Sequence, residues 1–404
     1  VNGNNVSGET HILFGSATAF SGTISASTLN GTNGFTLEGT AALDRSGWSI
    51  AAIGDINNDT IDDILVGAPR AENGALIDAG AAYVIFGKTT GFAATINFGT
   101  MTAAEGFTIP GLAAFDEAGL AVGSAGDINS DGIDDMVISA HMADLGANTN
   151  EGKAYVIFGG NASFGTATTF DLSTLNGTNG FVIEGGATFD NLASSFASVG
   201  DINGDTYDDL LIGAEDAGVG TTGASYVIYG IPNTSTFAAT LNVNALNGTN
   251  GFAMVGVSDF DDFGASVSSA GDINGDGIND MLIGAPTADP NGLSSAGETY
   301  LVFGKSTSGF GASFDLSTLD GTDGYVFNGI ASIDRSGGSV SGAGDLNGDG
   351  VDDLVIGAYF ANSISGETYV VHGGADNLTF FDAADGSVDG QIDLVGLQQI
   401  PEFI

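Results

Sequence analysis

A chain of 404 residues with 43% hydrophobic residues and 26 Phe has ample apolar material for a large core, which excludes a disordered polymer. Fifty acidic residues against six basic ones leave a formal charge of −44, which excludes binding to nucleic acid or insertion at an anionic membrane surface. With no cysteine, disulfide staples and thiol chemistry are excluded as well.

In chain order, the pattern starts midway through a unit. Residues 9–15 read as a third strand and residues 33–39 as the fourth strand of the same unit. A chain that begins at Val1, with no leader and no apolar run of spanning length, is expected to be a processed or excised segment. The first complete unit has four strand signals at 46–55, 62–69, 80–87 and 105–111. The second has them at 120–127, 134–140, 153–159 and 179–185, and the third at 194–201, 208–214, 224–230 and 250–256. The fourth follows at 263–272, 279–286, 298–304 and 323–329, and the fifth at 337–345, 352–358 and 367–373. No helix of useful length is expected; the run near 97–105 is too short. A recurring link, STLNGTNG at 27–34 and 173–180, NALNGTNG at 244–251 and STLDGTDG at 317–324, precedes four outer strands. Its Asn-Gly and Asp-Gly pairs supply positive-φ turns, and its Leu is expected to tuck against a neighbouring unit. Residues 374–404 break the pattern and are expected to form an irregular closing segment, with strands at 377–383 and 390–396 and a last edge element in PEFI.

The first two strands of each complete unit are joined by a nine-residue acidic loop. The loops cover 55–63, 127–135, 201–209, 272–280 and 345–353, so their starts lie 72, 74, 71 and 73 residues apart. A repeat of this kind is a supersecondary unit that needs neighbours to bury its faces. Positions 1, 3, 5, 7 and 9 offer a hard-oxygen set of three carboxylates, one amide and one backbone carbonyl, suited to calcium. In the first loop these are Asp55, Asn57, Asp59, the carbonyl of Ile61, and Asp63. The second offers Asp127, Asn129, Asp131, Ile133 and Asp135, and the third Asp201, Asn203, Asp205, Tyr207 and Asp209. The fourth offers Asp272, Asn274, Asp276, Ile278 and Asp280, and the fifth Asp345, Asn347, Asp349, Val351 and Asp353. Three carboxylates packed this closely repel one another without a cation. About five calcium ions are therefore expected, and they would bring the charge from −44 to about −34. An EF-hand is not the match, because it needs a Glu at position 12 and a helix after the loop.

Four-stranded antiparallel meanders repeated along a chain predict an all-β fold, a β-propeller of four-stranded blades. Small residues in the first strand of each unit suit a crowded axis. The reading is one propeller spanning 1–404, with six blades, five and seven being the alternatives. A linear solenoid is the rival architecture, but its repeats are usually shorter.

The residues resemble the FG-GAP repeat family, which includes the N-terminal propeller of integrin alpha chains. Phe263-Gly264, the loop Asp272 to Asp280 and Gly284-Ala285-Pro286 match its motif completely. Elsewhere the Phe-Gly pair is Ser46-Gly47, Ala118-Gly119, Leu192-Ala193 or Ser336-Gly337, and the calcium loops are the best-kept part. The resemblance covers about residues 9–373 and implies calcium loops between the first and second strands of each blade. It also implies adhesion or ligand binding, and the longer repeat is similar to bacterial secreted and surface proteins of the family.

The functional expectation is an extracellular, calcium-stabilised structural, adhesive or ligand-binding module, secreted or on a bacterial cell surface. Its partner would be a surface protein or a glycan, with neither nucleic acid nor membrane insertion. The alternatives are a carbohydrate-binding propeller, with Trp48 and Tyr207 as aromatic candidates, and a polysaccharide-active enzyme. For the last, no catalytic residue is assigned: His11, His141 and His372 lack a metal-ligand spacing, and no serine nucleophile elbow is present.

Overall fold

The computed structural model describes residues 7–16, 22–89, 91–146, 149–218, 220–306, 309–385 and 387–394. They fall into two compact units. One comprises Val1–Ser124, Gly132–Ile183 and Phe237–Thr240; the other comprises Ala125–Asp131, Glu184–Thr236 and Leu241–Ile404.

In the first unit, Glu9–Leu13 pairs antiparallel with Gly34–Glu38, with Glu9 opposite Glu38. These are the expected third and fourth strands of an incomplete sheet. The first complete sheet follows in meander order, Ser49–Ala52, Ile64–Ala68, Ala81–Ile85 and Gly106–Pro110, each antiparallel to the last. The second strand is an almost continuous apolar run because both of its faces are covered: Leu65 and Val66 are fully buried. The next sheet orders Val122–Gly126, Asp135–Ala140, Lys153–Ile157 and Gly180–Glu184 in the same way.

The second unit repeats the design. Ser195–Gly200, Asp209–Ala214, Ala224–Ile228 and Gly251–Val255 form one sheet, and Ser266–Gly271, Asp280–Ala285, Glu298–Val302 and Gly324–Asn328 form the next. The fifth repeat contributes Ser336–Gly344, Asp353–Ala358 and Glu367–Val371. The meander order of a propeller blade is thus met sheet after sheet.

The periodicity did not reveal a further strand. Each repeat sends an arm back to the outer strand of the preceding sheet. Thr95–Asn97 lies parallel to Gly34–Glu38, Ser313–Phe314 parallel to Gly251–Val255, and Gln391–Asp393 parallel to Gly324–Asn328. Thr240–Asn242 lies beside Gly180–Glu184, and an isolated parallel bridge joins Thr108 to Thr169. Near the first four arms a Phe stacks on a Phe of the receiving strand: Phe92 on Phe35 at 4.2 Å, Phe164 on Phe107 at 4.8 Å, Phe237 on Phe181 at 4.1 Å and Phe310 on Phe252 at 4.2 Å. Such ring pairs add roughly 0.5–1.5 kcal/mol each beyond the area they bury. The helix-like run near residue 97 is one 3-10 turn, Phe98–Thr100, that ends the first of these arms.

The recurring link places its Leu over the glycine that starts its own outer strand. Leu29, Leu246 and Leu319 lie where a Cβ on Gly34, Gly251 and Gly324 would stand. Leu175 does the same at Gly180 and also packs on a cluster that contains Phe107 of the preceding repeat and Phe170 of its own.

The closing segment departs from expectation. Residues 377–383 are not a strand: Ala375–Asp382 is an α-helix that buries Leu378, Phe381 and Asp382. Leu378 and Phe381 are three residues apart, on one helical face, and Asp376 sits favourably in the first turn. The second expected strand is present as Gln391–Asp393, but it serves the fourth sheet as its arm. The last expected edge element, PEFI, lies outside the described residues.

Candidate metal centres

Each acidic loop leaves the end of a first strand through a glycine of positive φ and returns as the second strand. The carboxylate at position 1 winds the loop. Asp55 accepts hydrogen bonds from the backbone N–H groups of Asp59 at 2.9 Å and Thr60 at 2.6 Å. Asp201 accepts from Gly204, Asp205 and Thr206, Asp272 from Asp276 and Gly277, and Asp345 from Gly348, Asp349 and Gly350. In the second loop the N–H of Asp131 donates to Asp127 and Asn129, both at 2.9 Å. Position 5 continues the turn: Asp59, Asp205, Asp276 and Asp349 each accept from the N–H two residues on. That donor belongs to Ile61, Tyr207, Ile278 or Val351, which leaves the carbonyl of each outside this contact.

The carboxylate at position 9 has a different task. Asp63, Asp135, Asp209, Asp280 and Asp353 are all fully buried. One oxygen accepts from the glycine after the third strand: Gly87 for Asp63, Gly159 for Asp135, Gly230 for Asp209, Gly304 for Asp280 and Gly373 for Asp353. In the first, third, fourth and fifth loops the other oxygen accepts from the N–H at position 2. Position 9 therefore ties its loop to its own third strand. Burial raises the carboxyl of Asp63 to about 7 and those of Asp209 and Asp280 to about 8, with the charges at positions 5 and 1 adding to the rise.

Position 8, absent from the expected donor set, carries the link between repeats. Asp134 accepts from the N–H of Asp55 at 3.1 Å, Asp208 from Asp127 at 3.0 Å, and Asp352 from Asp272 at 3.0 Å. The paired acids in the repeat thus divide their work: the first reaches the preceding loop and the second is buried in its own blade. The glycine before position 1 makes room for this contact. A Cβ on Gly54 would meet Asp134, and one on Gly271 would meet Asp352. A second tie runs from the residue after a third strand to the carbonyl at position 2 of the preceding loop: Gly160 to Ile56, Ile231 to Ile128, Lys305 to Ile202 and Gly374 to Ile273. The residues of the first tie recur in the sequence as Gly-Asp at each loop start and Asp-Asp or Asn-Asp at its end, whereas the second tie is backbone to backbone and leaves no such mark.

The donor set fits a hard cation. Every side-chain donor is oxygen, and Asn57 Oδ1 at position 3 of the first loop is buried with no hydrogen-bond partner. The carboxylate oxygens at positions 1, 5 and 9 are turned to backbone N–H groups, and among the described residues no three His, Cys, Asp or Glu side chains gather into a ready-made cluster. The loops are wound by their own hydrogen bonds, and each carboxylate oxygen keeps a second lone pair.

The opposite end of each first strand has its own recurring feature. Leu43, Phe115, Phe189, Phe260 and Ile333 occupy one repeat position with left-handed backbone, φ between 66° and 77°. All five are between 58% and 67% exposed. The Asp that follows caps the turn: Asp44 accepts from Ala41, Asp190 from Gly186 and Ala187, and Asp261 from Ser258. A large apolar side chain with φ > 0 is costly in itself, and exposure returns nothing to the fold. Sequence reading missed this row because its signal is a single hydrophobic residue before an Asp.

Of the named aromatic candidates, Trp48 is exposed and Tyr207 is half-buried in its loop. Phe263 of the Phe-Gly pair is buried edge-on to Tyr300 at 5.2 Å, and a Cβ on Gly264 would meet the Ala224 carbonyl. The equivalent Ser46, Ala118, Leu192 and Ser336 are also buried, so the position is a packing site.

The FG-GAP repeat model matches residues 46–85, 118–157, 193–228, 263–302 and 336–371, each running from the start of a first strand to the end of a third. The chain is 33% identical over 168 residues to integrin alpha-PS5 of Drosophila melanogaster, covering 41% of this chain and 14% of that protein. It is 28% identical over 249 residues to integrin alpha pat-2 of Caenorhabditis briggsae, covering 60% and 18%. It is 28% identical over 219 residues to phosphatidylinositol-glycan-specific phospholipase D of Bos taurus, covering 53% and 24%. The chain thus spans less than a quarter of each relative's own length. With five matched repeats on successive antiparallel sheets, the chain belongs to the integrin alpha-like FG-GAP repeat family and has its β-propeller fold.

Proposed function

We propose that this chain is an extracellular adhesive or ligand-binding module, held in shape by calcium in its five acidic loops and binding its partner at the opposite ends of the first strands. The observation that carries the reading is the exposed apolar side chain that each repeat keeps in unfavourable backbone, Leu43 and Phe115 in the first unit and Phe189, Phe260 and Ile333 in the second. Strained, exposed apolar residues belong with contact to a partner. Similarity to integrin alpha chains supports the same reading. Among the described residues no helix is long and apolar enough to cross a membrane. The repeat spacing of 71 to 74 residues and the charge of −44 favour a bacterial secreted or surface protein in a saline setting, where salt screens self-repulsion.

Calcium would be held by positions 1, 3, 5, 7 and 9 of each loop and would supply the positive charge that the clustered carboxylates require. Binding to the folded form alone stabilises it by about 2.7 kcal/mol per site at a hundredfold excess over Kd. Melting in millimolar calcium and after exhaustive chelation tests this: a large fall in Tm on chelation is expected, and an unchanged Tm would refute the calcium staples. The binding face is tested with beads coated with the protein and presented to immobilised matrix proteins and glycans in calcium. Retention should be lost in the Phe189→Ser/Phe260→Ser variant at unchanged Tm, and equal retention would remove that face from the reading.

A further inference from the structure

The chain has one tryptophan, Trp48, and it is 57% exposed. It lines a groove of about 560 Å³ together with Glu9, His11, Leu43 and Arg45. The Arg45 guanidinium lies 5.3 Å from the centre of the indole ring. That stacking orients both groups. Arg70 and Lys305, by contrast, are engaged by the carboxylates of Glu117 and Asp323. His11, which also lines the groove, has Nδ1 3.0 Å from Thr36 Oγ1 and Nε2 3.9 Å from Glu9 Oε2. An exposed indole face beside a planar donor, an imidazole and a carboxylate is a combination the core does not need.

We propose that this groove binds a neutral pyranose ring of a glycan, stacked on Trp48. The apolar face of such a ring, with its axial C–H groups, packs on indole, and the ring hydroxyls match the other groups. Arg45 donates to hydroxyl oxygens, Glu9 accepts from hydroxyl protons, and His11 can do either according to its tautomer. The carboxylate of Glu9 in the groove and the chain's charge of −44 select against an acidic sugar. The inference rests on the binding-face reading above, since Trp48 follows Leu43 in the same turn-to-strand segment, and it names the ligand class.

The single tryptophan makes its emission a report on this groove alone. The intact protein in calcium is titrated with neutral glucan, mannan, galactan and xylan oligosaccharides, and with oligogalacturonate as the acidic comparison. A saturable change in emission with at least one neutral oligosaccharide is expected, weakened about tenfold in Arg45→Ala. Calorimetry on Trp48→Ala should show no binding and on Trp48→Phe partial binding, both at unchanged Tm because the side chain is exposed. No saturable change with any neutral sugar, a stronger response to oligogalacturonate, or full binding by Trp48→Ala would overturn the proposal. If the sugars fail while Phe189→Ser/Phe260→Ser still loses bead retention, the saccharide assignment falls alone.

Discussion

The fourth and fifth loops carry nearly the same nine residues, DINGDGIND and DLNGDGVDD, in different surroundings. In the fourth, Ile273 is fully buried, its carbonyl accepts from Gly374, and Asp352 holds the N–H of Asp272. In the fifth, the equivalent Leu346 is 57% exposed, and a Cβ on Gly344 would meet nothing within 4 Å. The internal hydrogen bonds are shared: Asp345 accepts at positions 5 and 6 as Asp272 does, and Asp353 accepts at position 2 and after the third strand as Asp280 does. The loop conformation is therefore local property, while its burial is provided by the next repeat. The backbone N–H donors around exposed Asp345, Gly350 first among them, hold its carboxyl below the ordinary range, whereas burial drives that of Asp280 up.

The largest break in this comparison should come at position 2. Ile273→Ala removes a fully buried side chain and is expected to cost about 2–5 kcal/mol, against less than about 0.5 kcal/mol for Leu346→Ala. Equal costs in denaturant melts would show that the fifth loop is as enclosed as the fourth. Position 8 comes next. Asp352→Ala deletes the charge-assisted bond to Asp272 and should cost about 1.5–3 kcal/mol. Asp62→Ala, at the same motif position in the first loop, should cost within about 0.5 kcal/mol. A reversed order would mean that the link between repeats is not carried by this side chain.

The comparison also bears on pH. In calcium-free protein the carboxyls of Asp63, Asp209 and Asp280 titrate near 7 to 8, above their ordinary value. Their contribution to stability is thus fully present below about pH 4 and is lost as pH rises through 7 to 8. The Tm of chelated protein should fall across that interval, and less steeply in Asp280→Asn. Calcium should flatten the dependence by stabilising the ionised forms. A chelated Tm that rises from pH 5 to 8 would contradict the sign.

Much of this was legible in advance. Strand order follows from apolar runs such as ILVGA and MLIGA, whose burial on both faces leaves no helical period. The positions of the five acidic loops, each between a first and a second strand, follow from a spacing kept five times. What remained hidden depends on neighbours. Thr95–Asn97 is three residues long and has no period of its own; its partner strand lies some sixty residues earlier in sequence, beyond any local pattern. The tail misled because Thr379, Phe380 and Phe381 favour strands, while the three-residue spacing of Leu378 and Phe381 on the core side settles it as a helix. The role of Asp134, Asp208 and Asp352 was hidden in the same way, since nothing local separates position 8 from a solvated loop acid until its partner in the preceding repeat is seen.

The position-8 contact also bears on how such a chain grows. The side chain that reaches back and the glycine beside it belong to successive copies of one motif, an acid at Asp134, Asp208 and Asp352 and an amide at Asn279, so a repeat of this kind brings half of the junction before it and half of the one after it. A duplicated repeat therefore arrives with both couplings already encoded, and lengthening the array needs no new interface to be invented.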